Sequence, residues 1–189
     1  METEDKIYDG LHALERPRYL AAMWLLCGEL QSLYREQTLP ADGSLMSSTL
    51  EVVLEALDSG SGSGGEGAVR AAELDNRWRS VIDAGSEGAQ AGLWNAWVTF
   101  QALAAEIAGS AGAFEATERL ANAATERWRD ASPTGFRWIN PNEEIDDDSP
   151  MARTLRAFEQ VVTLVAESPG VTGRELADIR SRVFGEHAG

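Results

Sequence analysis

An all-α fold, a single-domain bundle of about seven helices, follows from three observations. Apolar residues recur at spacings of three and four along almost the whole chain of 189 residues. No run of four to eight residues alternates apolar and polar as a half-buried strand would. Clusters of glycine, proline and serine separate the periodic segments. At about 150 residues per domain, the length suits one domain spanning 1–189, with a core large enough to need no staples.

The first strong helix starts near Pro17, a residue suited to a first helical turn. It sets Leu20, Met23, Trp24, Cys27, Leu30 and Tyr34 on one face, which Leu25, Leu26 and Leu33 widen. A helix apolar over so much of its circumference is expected at the centre of a bundle. After a breaker at Leu39-Pro40-Ala41-Asp42-Gly43, the spacing of Met46, Leu50, Val53, Leu54 and Leu57 predicts a second helix. Ser48 and Glu51 stand at capping-box spacing if it begins late.

A Gly/Ser tract at 59–67 reads as a flexible loop, because glycine loses the most entropy on ordering and nothing apolar offsets that loss. A third helix, Ala68 to Asp83, presents Ala71, Leu74, Trp78, Val81 and Ile82 and stops at Gly85-Ser86-Glu87-Gly88. The fourth, about Ala89 to Ala108, carries Leu93, Trp94, Trp97, Phe100, Leu103 and Ile107 among alanines that permit close helix approach. Beyond Gly109-Ser110-Ala111-Gly112, a fifth helix holds Phe114, Thr117, Ala121, Ala124 and Trp128 on one side.

The pattern fails over 136–148, an irregular acidic loop in which Asn140-Pro141-Asn142 marks a turn. Ser149-Pro150 then starts a sixth helix bearing Met151, Leu155, Phe158, Val162 and Val165. Ser168-Pro169-Gly170 ends it, and the capping-box pair Thr172 and Glu175 opens a last helix with Leu176, Ile179 and Val183.

Charge narrows the function. Lysine and arginine number 16 against 31 aspartates and glutamates, a net charge of −15. Binding to a nucleic-acid backbone needs a basic footprint, so no nucleic-acid partner is expected; a partner with a basic surface fits better. Apolar residues at 43% and charged ones at 25% are ordinary for a globular chain and argue against wholesale disorder. The longest apolar run, Tyr19 to Cys27, is far short of the roughly 20 residues that span a bilayer, so no membrane partner is expected. The acidic start Met1-Glu2-Thr3-Glu4-Asp5 lacks a signal peptide's basic and apolar regions, and a cytoplasmic location is inferred. Lys6 is the only lysine, and the abundance of arginine, alanine and glycine suggests a GC-rich bacterial source.

The common chemical motifs are missing or out of context. Gly60-Ser61-Gly62-Ser63-Gly64-Gly65 matches G-x-G-x-x-G, but the dinucleotide fingerprint needs a preceding strand and a helix stands there instead. No Walker sequence exists, and the Glu-x-x-His repeat of di-iron bundles is absent. The two histidines, His12 and His187, lie near the chain ends, and the pair Asp9 and His12 lacks further ligands. No metal, cofactor or catalytic residue is assigned. Cys27 sits on the apolar stripe, where burial raises a thiol's pKa and makes it inert, so it reads as core.

Two groups remain as candidate sites. Glu143, Glu144, Asp146, Asp147 and Asp148, beside Arg137-Trp138, form a candidate partner-binding patch. Complementing the start of the following helix is the competing explanation of these acids, and calcium is disfavoured because Met151 and Ala157 fall where an EF-hand needs glycine and glutamate. Arg77-Trp78-Arg79 and Arg127-Trp128-Arg129 repeat one triplet. Flanking arginines point about 100° to either side of the tryptophan, so a buried indole with snorkelling neighbours is expected. Trp94, Trp97 and Trp128, with Arg127 to orient an anionic group, are a candidate ligand pocket.

Leu14-Glu15, Leu26-Cys27-Gly28-Glu29-Leu30 with Tyr34, Asp42-Gly43, Leu50-Glu51 and Leu54-Glu55-Ala56-Leu57 together resemble the YjaG-like family of small helical bacterial proteins. Trp94, Ala96, Asp148-Ser149-Pro150 and Phe158 follow in the same order. The family pattern has an arginine after its Cys-Glu type pair and a proline before the tyrosine, where this chain has Glu29-Leu30 and Gln31-Ser32-Leu33. The resemblance implies an all-α fold and transfers no site residues.

The function expected from the sequence is a non-enzymatic, acidic, cytoplasmic protein that binds another protein, such as an immunity or antitoxin-type inhibitor covering a basic effector. The rival is a helical small-molecule-binding protein with a tryptophan-lined pocket. A third reading is a hydrolase holding Mg²⁺ on Asp146, Asp147 and Asp148.

Overall fold

The computed structural model describes residues 2–59, 65–85, 88–110, 115–130 and 148–185. Among them are eight helices and no strand: α1 (Glu2–His12), α2 (Arg16–Leu33), α3 (Pro40–Asp58), α4 (Glu66–Gly85), α5 (Ala91–Ile107), α6 (Glu115–Asp130), α7 (Pro150–Glu167) and α8 (Gly173–Phe184). The all-α expectation holds, with eight helices in place of seven. The additional one is α1, an acidic segment that seats only Ile7 and Leu11 in the core. No described helix is long and apolar enough to cross a membrane.

Two boundaries move for a physical reason. Pro40 does not break a helix but begins one, since its fixed φ suits the first turn and its missing N–H has no partner to lose there. Ser48 therefore lies inside α3, not at its cap. The tract expected to be loop over 59–67 gives way to α4 at Glu66; residues 60–64, the heart of the expected loop, are outside the described residues. At α7 and α8 the signals are realised as read. The Ser149 hydroxyl accepts from the Ala152 amide at 3.0 Å, and Thr172 and Glu175 form a reciprocal capping box.

One apolar cluster draws on all eight helices. Helices α3 to α6 follow one another as packed neighbours, with the α5–α6 contact the most extensive and α4–α5 next. Helix α7 then returns to pack on α1, α2 and α6, and α8 folds onto α7 and α2. Helix α2 packs against α1, α3, α5, α6, α7 and α8, the central position expected from its wide apolar face. Cys27, in its middle, is fully buried, and burial pushes its thiol far above the usual range.

Polar contacts join helices within the core and at its edge. The Trp78 indole donates to the Thr49 hydroxyl at 3.0 Å, joining α4 to α3, and the Tyr34 hydroxyl donates to the Ala123 carbonyl at 2.6 Å, joining α2 to α6. Buried Glu106 accepts from the Tyr19 hydroxyl at 2.8 Å and has an Arg16 nitrogen 3.6 Å away. Arg18 donates to the Val165 and Ser168 carbonyls at 3.2 and 2.8 Å, so a side chain of α2 satisfies the open C-terminal end of α7.

Candidate functional site

A cleft of about 380 Å³ opens where α2, the turn after it, α3 and α8 meet. That volume falls in the range of small-molecule sites, about 300–1,000 Å³. The α2 wall is Gly28, Gln31 and Ser32, continued by Arg35 and Thr38 in the turn. Leu39, Pro40, Gly43 and Met46 form the α3 wall, and Arg180 closes the cleft from α8.

Glycine shapes both walls. Gly28 lies in the interior of an 18-residue helix, where glycine costs about 0.5–1 kcal/mol relative to alanine. No close approach demands it, because a Cβ built there would meet nothing within 4 Å. Gly43 is similar: its Cβ would come no nearer than 3.8 Å to Thr38. Side chains at either position would take up space in the cleft.

The remaining lining is partly committed. Gln31 donates its amide to the Gly43 carbonyl at 3.2 Å and to Ser47 at 2.8 Å, tying α2 to α3, and the Thr38 hydroxyl donates to the Tyr34 carbonyl at 2.7 Å. Among the described residues, neither Arg35 nor Arg180 has a side-chain hydrogen bond or an ion pair, and no carboxylate lines the cleft. Glu29, beside Gly28, is the carboxylate that Arg180 influences: burial raises its pKa and Arg180 lowers it, with a net rise. Leu39 is an apolar rim, 69% exposed.

The residues read from the sequence lie elsewhere. Trp97 is buried against Gly85 of α4, where any Cβ would run into its ring. Trp94 is half-buried, with the Arg119 guanidinium of α6 5.7 Å from its ring. Trp128 donates to the Thr154 hydroxyl of α7 at 3.0 Å. Arg127 donates to the Leu33 carbonyl at 2.8 Å, capping α2, while its guanidinium lies 5.3 Å from the Trp128 ring. Arg127 and Trp128 are thus in contact, while Trp94 and Trp97 address different neighbours, and none of the four lines the cleft.

Of the proposed partner patch, Arg137, Trp138, Glu143, Glu144, Asp146 and Asp147 fall outside the described residues. Asp148 is exposed, directly before the Ser149 cap, and its carbonyl accepts from Arg153 at 2.6 Å. In the first Arg-Trp-Arg triplet, Trp78 is buried and Arg77 and Arg79 are exposed, as expected of a snorkelling pair. His12 lies 3.3 Å from the Thr117 hydroxyl and 4.1 Å from the Tyr8 ring. Among the described residues no three His, Cys, Asp or Glu side chains are grouped as a metal site.

Sequence reasoning passed over Arg35 and Arg180, and one signal pointed toward their cleft. Gly28 interrupts an otherwise apolar helix, and an isolated glycine in such a pattern asks for a packing or functional reason. No family model, no curated protein and no solved structure matches the chain.

Proposed function

We propose that this protein works by reversible, non-catalytic binding of a small molecule in the cleft between α2, α3 and α8. The observation that carries this reading is Gly28, a helix-interior glycine that faces open space and leaves the cleft unfilled. Replacing it with a larger residue closes the cleft without a backbone clash, which makes the reading testable. Amide NMR spectra recorded with a small-fragment library should show hits shifting Ser32, Thr38 and Arg180 in the wild type. In Gly28→Leu those shifts should vanish while melting temperature is held or raised, since leucine is the better helix former. A library that never perturbs the cleft, or hits indifferent to Gly28→Leu, would sink the reading.

Charge supports a second reading, an acidic protein that docks a basic partner as an immunity or antitoxin-type inhibitor does. With 31 acids and 16 lysines and arginines, at least 15 acids have no cation to pair with one-to-one. Its proposed patch is Glu143, Glu144, Asp146, Asp147 and Asp148 with Arg137 and Trp138. A partner purified with the protein should dissociate in salt and be lost when these acids are changed to lysine; salt-independent association would argue against it.

A further inference from the structure

We infer that the cleft recognises an oxyanion, the carboxylate or phosphate head of an organic molecule, held between Arg35 and Arg180 with its apolar body over Leu39 and Pro40. The inference rests on the binding function proposed above and specifies its ligand. It starts from how the chain spends its few cations.

Most described arginines are engaged. Arg18 and Arg127 cap helix ends, Arg16, Arg70, Arg79 and Arg182 pair with carboxylates, and Arg153 bonds the chain before α7. Among the described residues, Arg35, Arg77, Arg119, Arg174 and Arg180 have no such partner, Arg119 lying only against the Trp94 ring. Two of these five, brought from the α2–α3 turn and from α8, share one cavity that no carboxylate lines among the described residues. In a chain where acids outnumber cations about two to one, this is an inversion of local charge. A guanidinium offers a planar fork of donors matched to carboxylate and phosphate oxygens, and two of them make a clamp.

The surroundings extend the same chemistry. Among the described residues the Ser32 hydroxyl has no hydrogen-bond partner and lies on the same wall as Arg35. Leu39, the N-cap of α3, offers no side-chain cap, so the first turn of a 19-residue helix adds its positive end to the cleft wall. Leu39 and Pro40, exposed at the rim, give an apolar surface beside the charged one. Opposing them, Glu29 weakens the field at Arg180, and Asp42 stands in the first turn of α3 without lining the cleft.

The test titrates the full-length chain with benzoate, phenyl phosphate and neutral benzamide, three probes sharing one ring, and follows the cleft amides by NMR in about 0.15 M salt, where exposed charges are screened beyond about 8 Å. Benzoate or phenyl phosphate should bind at least about tenfold more tightly than benzamide, the tighter of the two naming the source as carboxylate or phosphate. Arg35→Gln and Arg180→Gln should each weaken that binding by about tenfold. Glu29→Gln, which removes the opposing charge near Arg180, should strengthen it severalfold; a variant that only disturbed the fold would not.

If benzamide binds as well as benzoate and phenyl phosphate, or if the arginine variants bind unchanged, the oxyanion inference is overturned and cleft binding stands. If none of the probes binds and the fragment library also leaves the cleft unperturbed, the binding function itself falls.

Discussion

Tyr19 shows how a single hydroxyl can satisfy a buried carboxyl group. Burial first, and the Glu106 carboxylate second, push its pKa far above the usual phenol value, so the group stays protonated and donates to Glu106 at 2.8 Å. Tyr19→Phe keeps the ring in the core but removes the donor. Leaving a buried acceptor without its donor costs about 1–3 kcal/mol, and urea denaturation should show a loss of that size. A loss under about 0.5 kcal/mol would mean that Arg16 and the rest of the surroundings suffice for Glu106. Individual side chains were legible wherever one face of a helix decides their fate. Cys27 and Trp78 are buried because they lie on apolar stripes, and both were read that way. Arg18 and Arg127 were not legible as caps, because the carbonyls they satisfy belong to helices far away in sequence.

Among the elements, α8 depends most visibly on its cap. The Thr172 backbone and hydroxyl both donate to the Glu175 carboxylate and hold its pKa below the usual value. A carboxyl whose pKa is lowered on folding stabilises the native state above its unfolded pKa. That contribution is lost as pH falls through the folded pKa. Thr172→Ala should therefore lower the melting temperature by about 2–4 °C at neutral pH. The difference should shrink on acidification through the carboxylate range, as read by circular dichroism; a pH-independent difference would contradict this account of the cap. The elements were read well where caps and periodicity agree, as at Ser149 and Thr172. Helix α1 was missed because two buried side chains, Ile7 and Leu11, make a weak stripe among acids. The start of α3 was misread because Pro40 and Gly43 look alike as breakers, whereas proline at a first turn is a start signal.

At the scale of the whole molecule, the net charge of −15 sets a repulsion that no single residue owns. Exposed ion pairs such as Arg182–Asp178, at 2.8 Å, recover little of it in water. Raising salt from low ionic strength to roughly 0.5 M screens this repulsion over a few ångströms, so the melting temperature should rise. A fall would mean that the ion pairs outweigh the repulsion. Composition made that charge legible, but not the cleft, since Arg35 and Arg180 meet only once α8 has folded back onto α2.

The clasp of Arg18 on Ser168, across 150 positions of sequence, has a consequence for synthesis. Helices α2 to α6 can assemble as sequence neighbours while the chain is still emerging, but the side of α2 that faces α7 stays uncovered until residue 167 has been made. At about 5–20 residues per second, that interval is on the order of ten seconds. For that time the nascent chain exposes an apolar helix face, so its yield in the cell depends on what shields that face before α7 arrives.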